Sequence, residues 1–292
     1  MFGSSCKQAV FTLGFCLLAS LLYGAQIKDT LYINRGDLVL VDSVEMPYLA
    51  FNANSNFSGE NKRLIYSLGD DLLLTIVNND TVQHQFAIKG FPAFSTSIGA
   101  MDTSTTLINI DSLGAHIYFD PSTNESFSYL GMAGMIVVED PNSTASNFYW
   151  NIKEHQLLYN IELTSGNLVD WSEYYPNYFT INGRSNPYIN QDPFARVTGL
   201  VGDSIYIHMV NTGQSLHSMH FHGYHGEIVR STRHPNHIGR SKDTFPIYSM
   251  EVVTILIVPN QPGEYPVHDH NLVAVSGGNI YPNGMFVTLL ID

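Results

Sequence analysis

Cysteine is the first absence. The 292-residue chain has two, Cys6 and Cys16, and both fall in an N-terminal stretch that reads as an export signal. That stretch carries one cation, Lys7, then an apolar run from Ala9 to Tyr23, then the small residues Gly24 and Ala25. Removing residues 1–25 would leave 267 (292 less 25) without a thiol. Such a chain forms no disulfide, although export permits one, and offers no thiolate to a metal. Long apolar runs are also lacking, and the N-terminal one is too short to favour a stable membrane span. The expected product is a soluble protein of the periplasm or the extracellular space. Positive charge is scarce: 13 Lys and Arg stand against 26 Asp and Glu, for a net charge of −13. Loss of Lys7 would make it −14. A surface of that sign repels nucleic acid and anionic lipid. No Gly-rich phosphate loop and no G-x-S-x-G elbow is present. No segment sustains helical periodicity over a dozen residues.

What is abundant is strand-forming. Seventeen Tyr and sixteen Phe accompany many Val, Ile and Thr, punctuated by 23 Gly and 13 Pro. Short runs such as "DLLLTIVNN" (71–79), "SIYIHMVN" (204–211) and "EVVTILIVP" (251–259) recur between turn signals. The composition predicts an all-β protein of sandwich type. An internal duplication predicts two such units. "LGDDLLLTIVNNDTVQHQFAIKG" (68–90) aligns without gaps on "VGDSIYIHMVNTGQSLHSMHFHG" (201–223), at an offset of 133 (201 − 68). Matched positions include Gly69/Gly202, Asn78/Asn211, His84/His217 and Gly90/Gly223. "GAHIYFDPS" (114–122) matches "GEYPVHDHN" (263–271), pairing Asp120 with Asp269. The expected domains are 26–140 and 148–292, joined by the polar stretch 139–147.

Histidines in the second copy are spaced with meaning. Strand residues two apart project from one face, so His220 shares a face with His222, and His268 with His270. If the two strands are neighbours, four imidazoles converge. Copper, zinc, iron and nickel all suit imidazole. One His-x-His alone is ordinary polar cover; two at matched places in a duplicated domain point to a metal. Zinc-assisted hydrolysis is disfavoured, because the nearby carboxylate, Asp269, points to the opposite face.

"HSMHFHGY" (217–224), "YFTINGRSNP" (178–187), "SKDTF" (241–245) and "GEYPVHDHNLVAV…NGM" resemble the multicopper oxidases. They look closest to the two-domain members related to copper nitrite reductases. The resemblance implies two tandem cupredoxin-like Greek-key β-sandwiches, commonly assembled as homotrimers. In that family H-x-x-H-x-H-G supplies a type 1 copper ligand and two ligands of a copper cluster, here His217, then His220 and His222. The later H-C-H motif corresponds to His268, Asp269 and His270, and the downstream type 1 methionine to Met285. Asp269 therefore stands where the type 1 cysteine is expected, and "NLVAVSGGNIYPNGM" (271–285) lacks the second type 1 histidine. A hard carboxylate does not reproduce the electronic role of a thiolate. The first copy has Ala87, Lys89, Phe119 and Pro121 where the family's other histidine pairs belong. Each emptied type 1 pocket is instead expected to be closed by a hydrogen bond, His84 to Asp120 and His217 to Asp269.

The sequence thus points to an exported copper-binding protein with metal at His220, His222, His268 and His270. Any oxidoreductase activity would lack an internal relay and need a direct redox partner. The alternatives are a metal carrier, with zinc as the other ion, or a metal-free scaffold of the cell envelope.

Overall fold

The computed structural model describes residues 24–122 and 126–292. All but Gly24 and Ala25 of the expected export signal lies outside the described residues. Among them, no helix is long and apolar enough to cross a membrane.

Among the described residues the first half contributes nine strands: β1 Gln26–Val39, β2 Glu45–Asn52, β3 Leu64–Ser67, β4 Asp71–Asn78, β5 His84–Ile88, β6 Phe91–Ile98, β7 Thr103–Ile108, β8 Gly114–Phe119 and β9 Ala133–Glu139. They form two sheets, ordered β2-β1-β4-β7 and β3-β9-β8-β5-β6. The second half contributes β10 Ser146–His155, β11 Tyr178–Ile181, β12 Val197–Gly199, β13 Ile205–Asn211, β14 His217–Phe221, β15 Gly226–Ser231, β16 Ser241–Lys242, β17 Thr244–Ile247, β18 Glu251–Ile257, β19 Gly263–Asp269 and β20 Phe286–Ile291. Its sheets run β11-β10-β13-β18-β15-β16 and β12-β20-β19-β14-β17. Apart from the added β15 and β16, the orders are the same. Parallel β1–β4 corresponds to parallel β10–β13, and parallel β3–β9 to parallel β12–β20. The chain is two tandem cupredoxin-like sandwiches.

Alternation builds these elements. In β4, Leu72, Leu74 and Ile76 are buried while the side chains between them are half-buried, and β14 repeats the pattern with His217, Met219 and Phe221 inward. Each sandwich closes over its own core. Leu31, Phe51, Phe86 and Tyr118 fill the first, and Trp150, Met219, Phe221 and Phe245 the second. Trp150 stacks on Phe221 with centroids 5.6 Å apart. Gly69 and Gly202, matched by the duplication, both adopt positive φ, +95° and +90°, in the turn that opens β4 and precedes β13. A side chain there would be strained, which is why the repeat keeps glycine.

A third core joins the halves. Ala115, Ile117, Met135 and Val137 of β8 and β9 pack on Tyr149, Val210 and Val252, with Phe119 and Met250 at its edge. The connection between β10 and β11 reaches back to the first sandwich. It holds an eight-residue helix, Leu157–Thr164, whose Asn160 Nδ2 donates to the Pro47 carbonyl at 3.0 Å. Tyr159 is buried in the first core, and Leu163, Val169 and Tyr174 pack against it. This helix is shorter than the dozen residues over which periodicity becomes legible.

Candidate metal centre

Neighbouring strands present the histidines. β14 pairs antiparallel with β19, setting His220 opposite His268. Inward alternation of His217, Met219 and Phe221 sends His220 outward; His222 and His270, just past the strand ends, are exposed. Ring centroids lie 4.7 Å apart for His220–His222, 5.6 Å for His220–His268, 5.2 Å for His222–His268 and 5.5 Å for His220–His270. His222 Nε2 lies 3.1 Å from His268 Nε2. Two imidazole nitrogens about 2.0–2.1 Å from one ion, at a tetrahedral angle, are about 3.3 Å apart, so this pair already has the spacing of two ligands. Among the described residues no three ligating side chains converge closely enough, as placed, to complete a metal-binding set.

Hydrogen bonds fix which nitrogen each ring offers. Thr244 Oγ1 donates to Asp243 Oδ1 at 3.0 Å, so it accepts from His220 Nδ1–H at 2.9 Å. His268 Nδ1–H donates to the Asp269 carbonyl at 2.8 Å. His220 therefore keeps its Nε2 lone pair, and His268 Nε2 accepts from His222 Nε2–H, a proton that an ion would have to displace. Burial and then the charges of His220 and His268 lower the pKa of His222, which favours its neutral, ligating form.

Behind this face lies a different arrangement. His217 Nδ1 sits 2.6 Å from Asp269 Oδ2, and its Nε2 sits 2.9 Å from Glu154 Oε2. In the first sandwich His84 Nδ1 is 2.8 Å from Asp120 Oδ2, and Nε2 is 3.0 Å from Asp80 Oδ2. All six side chains are buried. A ring with a carboxylate at each nitrogen donates twice and is held as imidazolium. Burial lowers the His217 pKa, but its bonds to Asp269 and Glu154 outweigh that and push it up to about 9. Burial raises Glu154, yet His217 and the Ser215 and Gln214 amides pull it down to about 2. His84 is raised and Asp80 lowered on the same pattern, with burial opposed by the hydrogen bonds. Met285 is fully buried in the second core, and its carbonyl faces the Asp269 amide at 3.4 Å.

The second carboxylates, Asp80 and Glu154, were not visible to sequence reasoning because they come from different strands. Parallel pairing sets Tyr32 beside Val77 and Asn151 beside Val210. With Val77 matched to Val210, β10 runs 119 residues ahead of β1 (151 − 32), which places Glu154 where the first half has Arg35. The 133-residue offset places Gly213 where the first half has Asp80. In the first sandwich Arg35 donates to Asp80 through Nε at 3.1 Å and Nη2 at 2.7 Å. In the second, Glu154 occupies the space itself: a Cβ on Gly213 would lie 1.8 Å from Glu154 Oε2. Only the strand register reveals this exchange.

Four other histidines have surroundings of their own. His208 is bonded at both nitrogens, to Thr254 and Asn147. His155 is buried between Tyr48 and Tyr129, with neither nitrogen partnered among the described residues. His234 and His237 stack on each other in a surface turn. At the first-half counterpart of the metal face, Ala87 pairs with Phe119 in the register of His220 with His268.

Comparison with known proteins bears on the fold and on one stretch of the sequence. Residues 160–291 match the family model described as multicopper oxidase. No curated protein matches the chain. Among solved structures, the blue copper oxidase from Nitrosomonas europaea aligns with a TM-score of 0.76 at 20% identity, over 91% of this chain and 86% of that one. The multicopper oxidase mgLAC gives 0.75 at 18% identity, over 91% and 86%. Copper nitrite reductase from Nitrosomonas europaea gives 0.71 at 16% identity, over 91% and 94%. The fold likeness spans both sandwiches; the sequence match falls on the part that carries the histidine face.

Proposed function

We propose that this is an exported copper-binding protein of multicopper-oxidase type that works without a type 1 copper. His222 and His268 would hold the ion, with His220 and His270 as the adjoining imidazoles. The single observation that carries the reading is the 3.1 Å approach of two ring nitrogens on an exposed face, in a domain matched to the multicopper oxidases. An all-imidazole donor set suits copper. Bound there, copper would supply one-electron redox chemistry at the surface, open to a donor or partner that reaches it directly.

The type 1 position is read as lost on two grounds. Asp269 supplies no sulfur, and both nitrogens of His217 are engaged by carboxylates at 2.6 and 2.9 Å. A metal entering that pocket would have to displace a buried, charge-assisted bond. The role left to His217 and Asp269 is to brace β14 against β19 from within, so that the outer rings keep their register.

A carrier without turnover is the second reading. It is favoured by the exposed setting and by the absence, among the described residues, of a closed set of three ligands as placed. Zinc fits the same nitrogens. We also propose a homotrimer. Within one chain the β8–β9 face of the first sandwich is covered by the second, whereas the equivalent sheet face of the second, on β19 and β20, is half-buried or exposed and runs on to the histidines. A closed ring of copies would cover it.

Elemental analysis of protein purified from its exporting host tests the metal. Copper bound to the wild type and lost from a His222→Ala, His268→Ala variant is the expected result. Equal copper and zinc in both samples would remove the site. Oxygen uptake with a phenolic donor then separates oxidase from carrier.

A further inference from the structure

Three cations meet at the junction of the two sandwiches, on residues distinct from those of the histidine face. A cleft of about 510 Å³ opens there between β8, the turn after β5, and the segments that follow β15 and precede β18. Lys89, Arg230 and Arg233 line it, against a single carboxylate, Glu251. Glu251 is buried, and both its oxygens are taken, one by the Ser231 hydroxyl at 2.8 Å and one by the Tyr248 amide at 2.9 Å. In a chain with 13 cations to 26 anions, three cations facing one carboxylate are a local reversal of sign. A concave site with low-dielectric walls concentrates such a field.

The cations are held in place. Arg230 Nη1 donates to the Leu113 carbonyl at 2.8 Å, spanning the two halves. His116 Nε2–H donates to the Ser112 carbonyl at 3.1 Å, so its Nδ1 faces Arg230 Nη2, 3.4 Å away, as an acceptor. The third nitrogen, Arg230 Nε, is buried with no hydrogen-bond partner among the described residues. An unmatched guanidinium N–H is costly to leave so. Arg233 lies over the Tyr248 ring, 4.2 Å from its centroid, which keeps its charge at the mouth. Lys89 donates to the Met250 carbonyl at 2.7 Å across the same junction. The remaining walls are apolar: Phe91, Ile117, Met250 and Val252. Pockets of this size, mostly apolar with a few convergent polar groups, are the usual form of small-molecule sites.

We propose that this junction binds a small organic carboxylate with an aromatic body, its anion at Arg230 and Arg233 and its ring against Phe91, Ile117 and Met250. The site shares no residue with the histidine face and stands whether or not copper binds there. Because its walls come from both sandwiches, an occupant would also tie the halves together.

The test is calorimetric titration of the full chain with sodium 2-naphthoate and, separately, with 2-naphthylmethanol, which keeps the rings and lacks the charge. The expected result is saturable 1:1 binding of the naphthoate, weakened by added salt, with the alcohol about tenfold weaker or worse, as for loss of one charge-assisted contact. Arg233→Glu, at an exposed position, should cut naphthoate affinity about tenfold or more, and Arg230→Gln by a similar factor. Lys28→Glu, on an exposed part of β1 outside the cleft, should leave it unchanged. Equal affinity for acid and alcohol, or wild-type binding by Arg233→Glu, would overturn the proposal. Arg233→Glu decides even if Arg230→Gln does not fold.

Discussion

Gly213 shows how a single missing side chain can be part of a charge network. Its absent Cβ leaves the volume that Glu154 Oε2 occupies, at a distance no methyl group could share. Gly213→Ala should push Glu154 away from His217 and strand a buried imidazolium beside one carboxylate. Breaking a buried pair in this way costs about 3–5 kcal/mol. Denaturant unfolding should show a lower midpoint with an unchanged slope; a variant as stable as the parent would mean that Glu154 has another place to go. Asp269 permits a complementary experiment. Asp269→Cys supplies a sulfur and frees His217 Nδ1, but it gives one histidine and one thiolate where a blue site needs two and one. Copper added to this variant should give no intense visible charge-transfer band, and a deep blue protein would refute the reading of the pocket.

Pairs of strands explain why the two halves diverged. β5–β8 and β14–β19 have the same register, Ala87 opposite Phe119 and His220 opposite His268, yet they face different surroundings. Phe119 packs at the edge of the core between the sandwiches, so a polar ring there would lose apolar contacts. An Ala87→His, Phe119→His variant should therefore lose about 1–3 kcal/mol of stability and gain no metal, despite reproducing the histidine spacing. Binding of an extra equivalent of copper by that variant would show that register alone builds the site. The same comparison shows what the sequence made legible. Period-two alternation and the 133-residue repeat carried the all-β reading and the two sandwiches, whereas the adjacency of β14 and β19 that sets His220 opposite His268 was only a condition of the sequence reading. The His217–Asp269 pairing was legible too, because both members lie in the repeated segments. Asp80 and Glu154 were not, since which carboxylate meets the second nitrogen depends on how β1 and β10 lie beside β4 and β13. The packing of residues 157–174 on the first sandwich was hidden for the same reason: it is set by tertiary contacts and leaves no periodicity.

At the scale of the whole molecule, one clamped imidazolium in each sandwich should shape the dependence of stability on pH. His217 is raised from an ordinary 6.5 to about 9, so its contribution is complete below pH 6.5 and is lost as pH rises through 9. Glu154 is lowered from 4.5 to about 2, so its contribution is complete above pH 4.5 and is lost as pH falls through 2. His84 and Asp80 shift in the same two directions. The contribution of these pairs to thermal stability should therefore be level between pH 4.5 and 6.5 and fall on both sides. The alkaline fall is the diagnostic one. Burial lowers Lys153 to about 7, so it titrates in the same range with the opposite sign, and other lysines and tyrosines follow at high pH, but all do so equally in a His84→Gln, His217→Gln variant, whose amides bond carboxylates without carrying charge. That variant should be less stable at pH 6 and should lose the decline between 6.5 and 9. If its alkaline slope matched the parent's, the imidazolium charge would not be what holds the two pockets, and neutral packing would have to explain why each sandwich keeps a histidine between two acids.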